Sequence, residues 1–406
     1  MSLATFDYQV RDRAGKVVRG RIEAESPAVV ATKLKGMGYA PISITQANAG
    51  LKKEIKIPGM GDRVKLKDLA ISARQFATMI NSGLSLLRAL SILSDQTDNP
   101  KLCEVYASVR LSVEQGSSLS QALAQHPKVF PPIMINMTRA GETGGFLDQV
   151  LSQLADNFEA EVKLRSTVKS AMTYPLVVFA FAILSMTAML LFIVPVFADL
   201  FDSLGGTLPL PTRILVAIST ILKTFMPVIL VALIAAMVLW GKYKNRPRVR
   251  SFVDPMKLKA PVFGKLFQKI ALSRFTRNLG TMIHAGVPIL QSLDIVADTT
   301  GNVVIARAVR DIELSVRQGE SLAGPLVHHP VFPPMVVQMM AVGEDTGSLD
   351  AMLHKISDFY DAEVEATTEA LTSLIEPLMI AFVGGIVGAM IIALYMPIFK
   401  VFELIN

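Results

Sequence analysis

The sequence predicts a mainly α, polytopic membrane protein with three transmembrane helices, two homologous six-helix cytoplasmic bundles and a small N-terminal α/β module. Three observations carry this. Arg74–Thr97 and Arg277–Thr300 are identical at ten of twenty-four positions at a constant offset of 203, so one helical block is written twice. Three windows, 170–198, 224–241 and 377–399, contain no Asp, Glu, Lys or Arg over 29, 18 and 23 residues. Charged residues make up only 18% of the chain, and these windows account for the deficit from the about 25% usual in soluble domains.

Residues 1–46 read as a ββαβ unit. Phe6–Val10 and Val17–Ala24 alternate as strands around a turn at Ala14-Gly15. Ser26 suits an N-cap and Pro27 the first turn of a helix that runs to Met37 and stops at Gly38. Pro41–Thr45 returns as a short strand. Residues 47–65, with three glycines and Pro58, form a linker.

The first helical block occupies 66–170. Leu66, Leu69, Ala70, Ala73, Phe76, Ala77 and Ile80 share one helical face, and Asn81-Ser82-Gly83 ends that helix. Ser85 caps a second helix, Pro100 opens a third, Ser118 caps a short fourth and Pro131-Pro132 precede a fifth. A sixth starts near Phe146 and runs past Glu161 and Lys169 into the membrane. The landmarks recur: Gly116, Leu119 and His126-Pro127 as Gly319, Leu322 and His329-Pro330, Phe130-Pro131-Pro132 as Phe332-Pro333-Pro334, and Pro175 as Pro377. The second block, 269–372, therefore repeats the first and enters the last span.

Spans are expected at 171–198, 214–241 and 373–399. About 20 residues cross an ~30 Å hydrocarbon core, so the first and third suffice alone. The second is extended by Ile214–Leu222 across Lys223, whose ammonium can snorkel to the interface. Lys163, Arg165 and Lys169 precede the first span, residues 199–212 carry no Lys or Arg, and Lys242, Lys244, Arg246, Arg248 and Arg250 follow the second within a basic segment 242–268. This bias puts the N-terminus and both blocks in the cytoplasm, and the 199–213 loop outside. The acidic stretch Asp358–Glu376 does not orient the third span; the span count does, and it sends residues 400–406 outward.

A net charge of +6 invites a nucleic-acid reading, but the basic residues flank the spans, so no nucleic acid is expected. The polar start, with Asp7, Arg11, Asp12 and Arg13, argues against a cleavable signal peptide. A single cysteine, Cys103, excludes a disulfide framework and a cysteine metal site. There is no GxxxxGK[ST], no Ser/His/Asp arrangement, and the five histidines lack ligand spacing, so neither catalysis nor a cofactor nor a metal is expected. The charge-free windows lack the ion relay of a small-molecule transporter, the strongest rival class. A second rival is a membrane-anchored scaffold unrelated to fibres.

Two turns stand out: Gly141-Glu142-Thr143-Gly144-Gly145 and Gly343-Glu344-Asp345-Thr346-Gly347. Glycines allow a tight backbone between helices, and the Glu can bond free amides at the next helix start. The alternative is a docking surface or a weak divalent-ion site using Glu142 with Asp148, or Glu344 with Asp350. The first turn reads as one residue shorter than the second, so such a site need not occur in both. The acidic runs Asp156, Glu159, Glu161 and Asp358, Asp361, Glu363, Glu365 read as solvated helix faces that could receive a basic partner. Pro175, Pro195 and Pro377 sit near span ends, and Gly384 with Gly388 would let another helix approach closely.

This ordered, duplicated set resembles the PilC/GspF family, the inner-membrane platform proteins of type IV pilus assembly and type II secretion. The likeness rests on Arg74–Met79 through Gly83, on Gly141-Glu142 with Gly144, on Thr173-Tyr174-Pro175, and on Tyr395-Met396-Pro397-Ile398-Phe399. Second copies lie at Arg277, Gly286, Gly343-Glu344 with Gly347, and Pro377, with Ile375-Glu376-Pro377 departing from the first copy. The resemblance implies a non-enzymatic platform in the inner membrane. Its implied partners are a hexameric assembly ATPase, a retraction ATPase as a further candidate, pilins or pseudopilins through their membrane helices, inner-membrane alignment proteins, and itself as a dimer or larger. The Tyr-Met-Pro-Ile-Phe-Lys ending and the first-block motif resemble the pilus branch more than the secretion branch.

Overall fold

The computed structural model describes residues 4–11, 17–24, 27–46, 63–203, 208–244, 246–261 and 263–405. The turn at Ala14-Gly15, the Ser26 cap and most of the 47–65 linker lie outside these. The chain divides into two compact units, Met1–Arg63 and Val64–Asn406.

In the first unit, β1 (Ala4–Arg11), β2 (Val17–Ala24), α1 (Pro27–Gly36) and β3 (Ala40–Gln46) follow in ββαβ order. The sheet is antiparallel in the order β2-β1-β3, with a bulge between Gln9 and Val10. Phe6 and Val10, four apart on β1, face the same way and are buried with Ala24, Val30 and Leu34. Gly38, at φ +83°, closes α1 in the left-handed region that only glycine enters cheaply.

The second unit opens with α2 (Leu66–Asn81), α3 (Leu86–Gln96), α4 (Pro100–Glu114), α5 (Leu119–Ala124), α6 (Pro132–Gly144) and α7 (Leu147–Ala188). Local chemistry sets these starts. Asn99 Oδ1 accepts from the amides of Lys101 and Leu102, and Ser118 Oγ from that of Gln121. Gly83 (φ +83°) and Gly286 (φ +72°) end the first helix of each copy with the same pair of bonds, Gly83 N–H to Ile80 O and Leu84 N–H to Met79 O in the first.

Beyond α7 a π-helical turn, Met189–Ile193, leads into α8 (Val194–Ser203); α9 (Leu210–Tyr243) returns. The segment expected as a basic connector contains α10 (Pro247–Lys259), packed against the second block. That block comprises α11 (Phe263–His284), α12 (Ile289–Thr299), α13 (Val303–Arg317), a 3-10 turn at Pro325–His328, α14 (Pro334–Asp345) and α15 (Leu349–Ile405). The 3-10 turn replaces α5 because Gly324-Pro325 stand where the first copy has Gln121-Ala122, and proline removes an amide the helix needs.

Both copies bury one continuous core, from Leu69 and Phe76 through Phe130 and Leu154 to Phe275, Leu293, Phe332 and Tyr360. The equivalent rings Phe130 and Phe332 are each met by another ring, but from different helices: Tyr106 of α4 at 5.7 Å and Phe275 of α11 at 5.3 Å, whose repeat counterparts are Val309 and Ser72. The Tyr106 hydroxyl donates to Ser72 Oγ at 2.9 Å, yet burial pushes its pKa up to about 12.

Among the described residues, three helices are long and apolar enough to cross a membrane: Leu147–Leu200, Leu210–Tyr243 and Leu349–Met396. Their apolar portions expose Leu176, Phe181, Phe192, Val231 and Ile234, a surface that water would penalise and lipid would not.

Candidate functional site

The first and last helices of each copy are clamped by an arginine. Arg74 on α2 presents Nε to Glu159 Oε1 and Nη2 to Oε2, both at 2.7 Å, and Nη2 also meets Asp156. This fork raises the pKa of Arg74 and lowers that of Glu159. In the second copy Arg277 Nη2 bonds Asp361, whose other oxygen accepts from Ser273 Oγ at 2.6 Å. Arg277 and Asp361 occupy the positions of Arg74 and Glu159. Asp156, Glu159, Glu161, Asp361 and Glu363 are therefore paired within the chain, while Asp156, Glu159, Asp358 and Glu365 also remain exposed to solvent. Glu161 takes Arg165 at 2.6 Å and, across the two copies, Arg274 at 2.7 Å. Burial lowers the pKa of Arg274, against the pull of Glu161. Lys269 Nζ reaches Glu363 at 2.6 Å.

The Gly-Glu turns do not cap the helix that follows them: Glu142 caps an earlier helix, and Glu344 holds the matching amides ahead of the 3-10 turn. Glu142 accepts from the amides of Leu119 and, at 3.0 Å, Ser120, at the start of α5 and 22 residues upstream. Glu344 accepts from Leu322 N–H at 2.8 Å and Ala323 N–H at 3.3 Å, the equivalent place. The carboxylate compensates amides that no earlier carbonyl can reach. Gly141 and Gly343 matter for closeness: a Cβ on Gly141 would lie 3.1 Å from Leu147 Cα, and one on Gly343 3.0 Å from Leu349 Cα. The left-handed residue is Gly145 (φ +78°), the partner of Gly347 (φ +67°), rather than Gly144, where a Cβ would strike the Phe146 ring at 1.9 Å. From Gly141 to Leu147 and from Gly343 to Leu349 the count is the same, so the first turn is not shorter. The missing residue falls in the preceding loop, His126–Phe130 against His329–Phe332.

No group of three or more His, Cys, Asp or Glu able to hold a metal occurs among the described residues. The turn carboxylates do not converge for an ion either: Asp350 is held by His284 Nδ1 at 2.7 Å while Glu344 faces amides. His126 Nε2 meets Ser108 Oγ at 3.1 Å and His329 Nε2 meets Asp311 at 3.2 Å, equivalent positions on α4 and α13. Both are loop-to-helix ties.

α7 and α15 carry these clamps and then continue into the apolar zone without a break, through Pro175 and Pro377. They touch at Leu164, Val364 and Leu371, with Leu266 of α11 between them. Further along they part around an apolar cavity of about 580 Å³, lined by Pro175, Phe179, Met186, Met379 and Val383, with Glu376 at its rim. At the far end two buried hydroxyls of α9 reconnect them: Ser219 Oγ donates to Leu190 O in the π turn, and Thr212 Oγ1 to Ala393 O, both at 2.5 Å. Nothing lies within 4 Å of a Cβ built on Gly384 or Gly388, so these glycines are not used for close packing inside this chain.

The sequence profile described as type II secretion system (T2SS), protein F matches twice, over residues 72–195 and 275–397, and its N-terminal domain matches over 3–45. The chain belongs to this protein F family. Among curated relatives, type IV pilus assembly protein PilC of Thermus thermophilus is 43% identical over 98% of both chains. The PilC of Myxococcus xanthus is 42% identical over 98% of this chain and 95% of its own, and type II secretion system protein F of Vibrio cholerae is 30% identical over all of both. The two matched regions each contain one arginine clamp, one Gly-Glu turn and one membrane-entering helix. The family chain is thus a multi-pass membrane protein of the pilus-assembly and type II secretion platform class.

Sequence reasoning located Arg74, Arg277, Glu142 and Glu344 but not their partners, which lie 21 to 85 residues away. It also passed over Ser219 and Thr212. For Ser219 the available signal was a hydroxyl residue inside an otherwise apolar span, where an unbonded polar group is costly; Thr212, in the expected 199–213 loop, gave none.

Proposed function

We propose that this chain is the non-enzymatic inner-membrane platform that couples a cytoplasmic hexameric assembly ATPase to extraction of pilins from the membrane and their addition to a type IV pilus. Both helical blocks and the N-terminal module face the cytoplasm, and the C-terminus faces outward. The carrying observation is the continuity of α7 and α15, 42 and 57 residues long, from the clamped seam into the apolar zone. At 1.5 Å per residue they extend about 60 and 85 Å, rigid enough to carry a displacement of the blocks into the bilayer. The greater identity to the two PilC relatives favours the pilus over secretion.

The test is a strain lacking the gene, complemented with the wild type, Lys163→Pro or Glu365→Pro. Both positions lie inside the continuous helices below the apolar windows, where proline costs about 3 kcal/mol and breaks the backbone ladder. Expected are lost surface fibres, retained co-purification of the ATPase, and normal protein export. Fibres of normal length in both variants would sink the coupling reading. Lost export with intact fibres would move the chain to a secretion platform.

A further inference from the structure

α10 begins at Pro247, four residues beyond Tyr243, where the second span ends. At up to ~3.5 Å per residue, its first turn lies within about 14 Å of the end of α9. Arg246 stacks over the Tyr243 ring at 4.5 Å, which keeps the connection close to that end. One residue fixes how α10 is rotated. Asp254 is 3% exposed; its Oδ2 accepts from the amide of Val303, the first residue of α13, at 3.2 Å. Arg250 and Lys257 flank the same carboxylate at 3.6 and 3.3 Å.

With Asp254 turned into the second block, the opposite stripe of α10 is presented outward. Arg248, Phe252, Met256 and Lys259 are spaced i, i+4, i+8 and i+11, which at 100° per residue places them on one face. Phe252 is 72% and Met256 60% exposed, and Arg248, Lys259, Lys244 and Arg246 are all exposed. Two apolar side chains bracketed by cations, on a helix tethered to a membrane span, have the chemistry of an interfacial helix. The cations match phosphate headgroups, and the Phe and Met match the upper acyl region.

We propose that α10 seats against the surface of the membrane that α9 crosses, with Phe252 and Met256 entering the headgroup layer and the surrounding Arg and Lys residues holding anionic lipid. Asp254 then transmits that seat to α13, so the second block hangs from the bilayer at a set orientation. This holds for either a pilus or a secretion platform, because it uses only the span and the helix beside it.

The test uses the full chain in liposomes. Trp240→Phe removes the single tryptophan, and Phe252→Trp, or separately Met256→Trp, installs a reporter. Lipids with brominated chains quench tryptophan by contact. Severalfold stronger quenching is expected in bilayers containing brominated phosphatidylglycerol than in brominated phosphatidylcholine. Arg248→Glu with Lys259→Glu should weaken the contact by more than an order of magnitude, taking about fivefold per cation, and high salt should weaken it too. Equal quenching in both lipids overturns the anionic-lipid assignment. Reporters that no bromolipid quenches overturn the membrane seat, and acrylamide shielding in that case would mean that a second copy or another protein covers the face.

Discussion

The two arginine clamps occupy equivalent positions but not equivalent environments, and this separates their energetic roles. The Arg74 side chain is 39% exposed, with Asp156 and Glu159 at 69% and 47%. Arg277 is 8% exposed against 31% for Asp361, and its Nη1 has no partner among the described residues. A solvent-exposed pair contributes about 0–1 kcal/mol, because water solvates the separated charges nearly as well. Removing one member of a buried pair costs about 3–5 kcal/mol, since the remaining charge loses its partner without regaining water. Asp361 keeps part of its solvent contact and its bond from Ser273, so a cost just below that range, about 2–3 kcal/mol, is expected for Arg277→Ala. Arg74→Ala should cost less than about 1 kcal/mol.

Thermal unfolding of the full chain in detergent, followed by near-ultraviolet circular dichroism at one scan rate, reads the difference. At about 2 °C per kcal/mol for a unit of this size, Arg277→Ala should lower Tm by about 4–6 °C and Arg74→Ala by under about 2 °C. The double variant Arg277→Met with Asp361→Leu should recover most of the loss, because it removes both charges and leaves apolar volume. Equal drops at Arg74 and Arg277, or a double variant as unstable as the single, would refute the burial argument.

The remaining predictions concern the turns and the histidine pair. Glu142→Ala and Glu344→Ala should each cost about 1.5–3 kcal/mol, because a carboxylate bonded to two backbone amides (at the start of α5 for Glu142, ahead of the 3-10 turn for Glu344) is lost, with Gln recovering part; Tm unaffected by millimolar calcium or EDTA would accompany a backbone clamp, whereas a calcium-dependent rise would revive the ion site. His354 packs at 6.2 Å against His284, and burial, then the His284 charge, holds its pKa below the ordinary 6.5. Arg277 on α11 lowers it further, while Asp350 and Asp358 on α15 oppose the shift. The folded chain therefore binds fewer protons here than the unfolded chain, so this stability is present above about pH 6.5 and falls as pH drops below it. His354→Gln should flatten the Tm change between pH 7.5 and 5.5; an unchanged slope would remove His354 as its source.

Much of the fold is legible because it is local. The Gly83 and Gly286 stops, the Asn99 and Ser118 caps and the period-3.6 face of Leu66–Ile80 are decided within a few residues, and the charge-free windows need only counting. The 3-10 turn was legible too, in Gly324-Pro325, once the copies are compared position by position rather than assumed to fold alike. What local pattern hides is which side chain meets which. Glu142 looks like a cap for the helix it precedes, yet the chain folds back so that it serves α5. The acidic runs, although exposed in part, do not reveal their pairing because their arginines lie more than 80 residues away.

Duplication also makes a fused body where the repeat suggests two separate ones. Asn157 Nδ2 donates to Asn278 Oδ1 at 3.2 Å and Thr281 Oγ1 at 3.3 Å, and Arg274 reaches Glu161 across the copies. In the repeat-equivalent position of Asn157 stands Phe359, 45% exposed, so the joint is not symmetric. A two-fold pair could have kept both surfaces alike; here one copy's contact face has become core while the other's stays open. With a shared core beneath them and hydroxyl ties to α9 at the far end, α7 and α15 are fastened at both ends of the apolar cavity. Under the proposed coupling, a force on either block would therefore be delivered to both helices together.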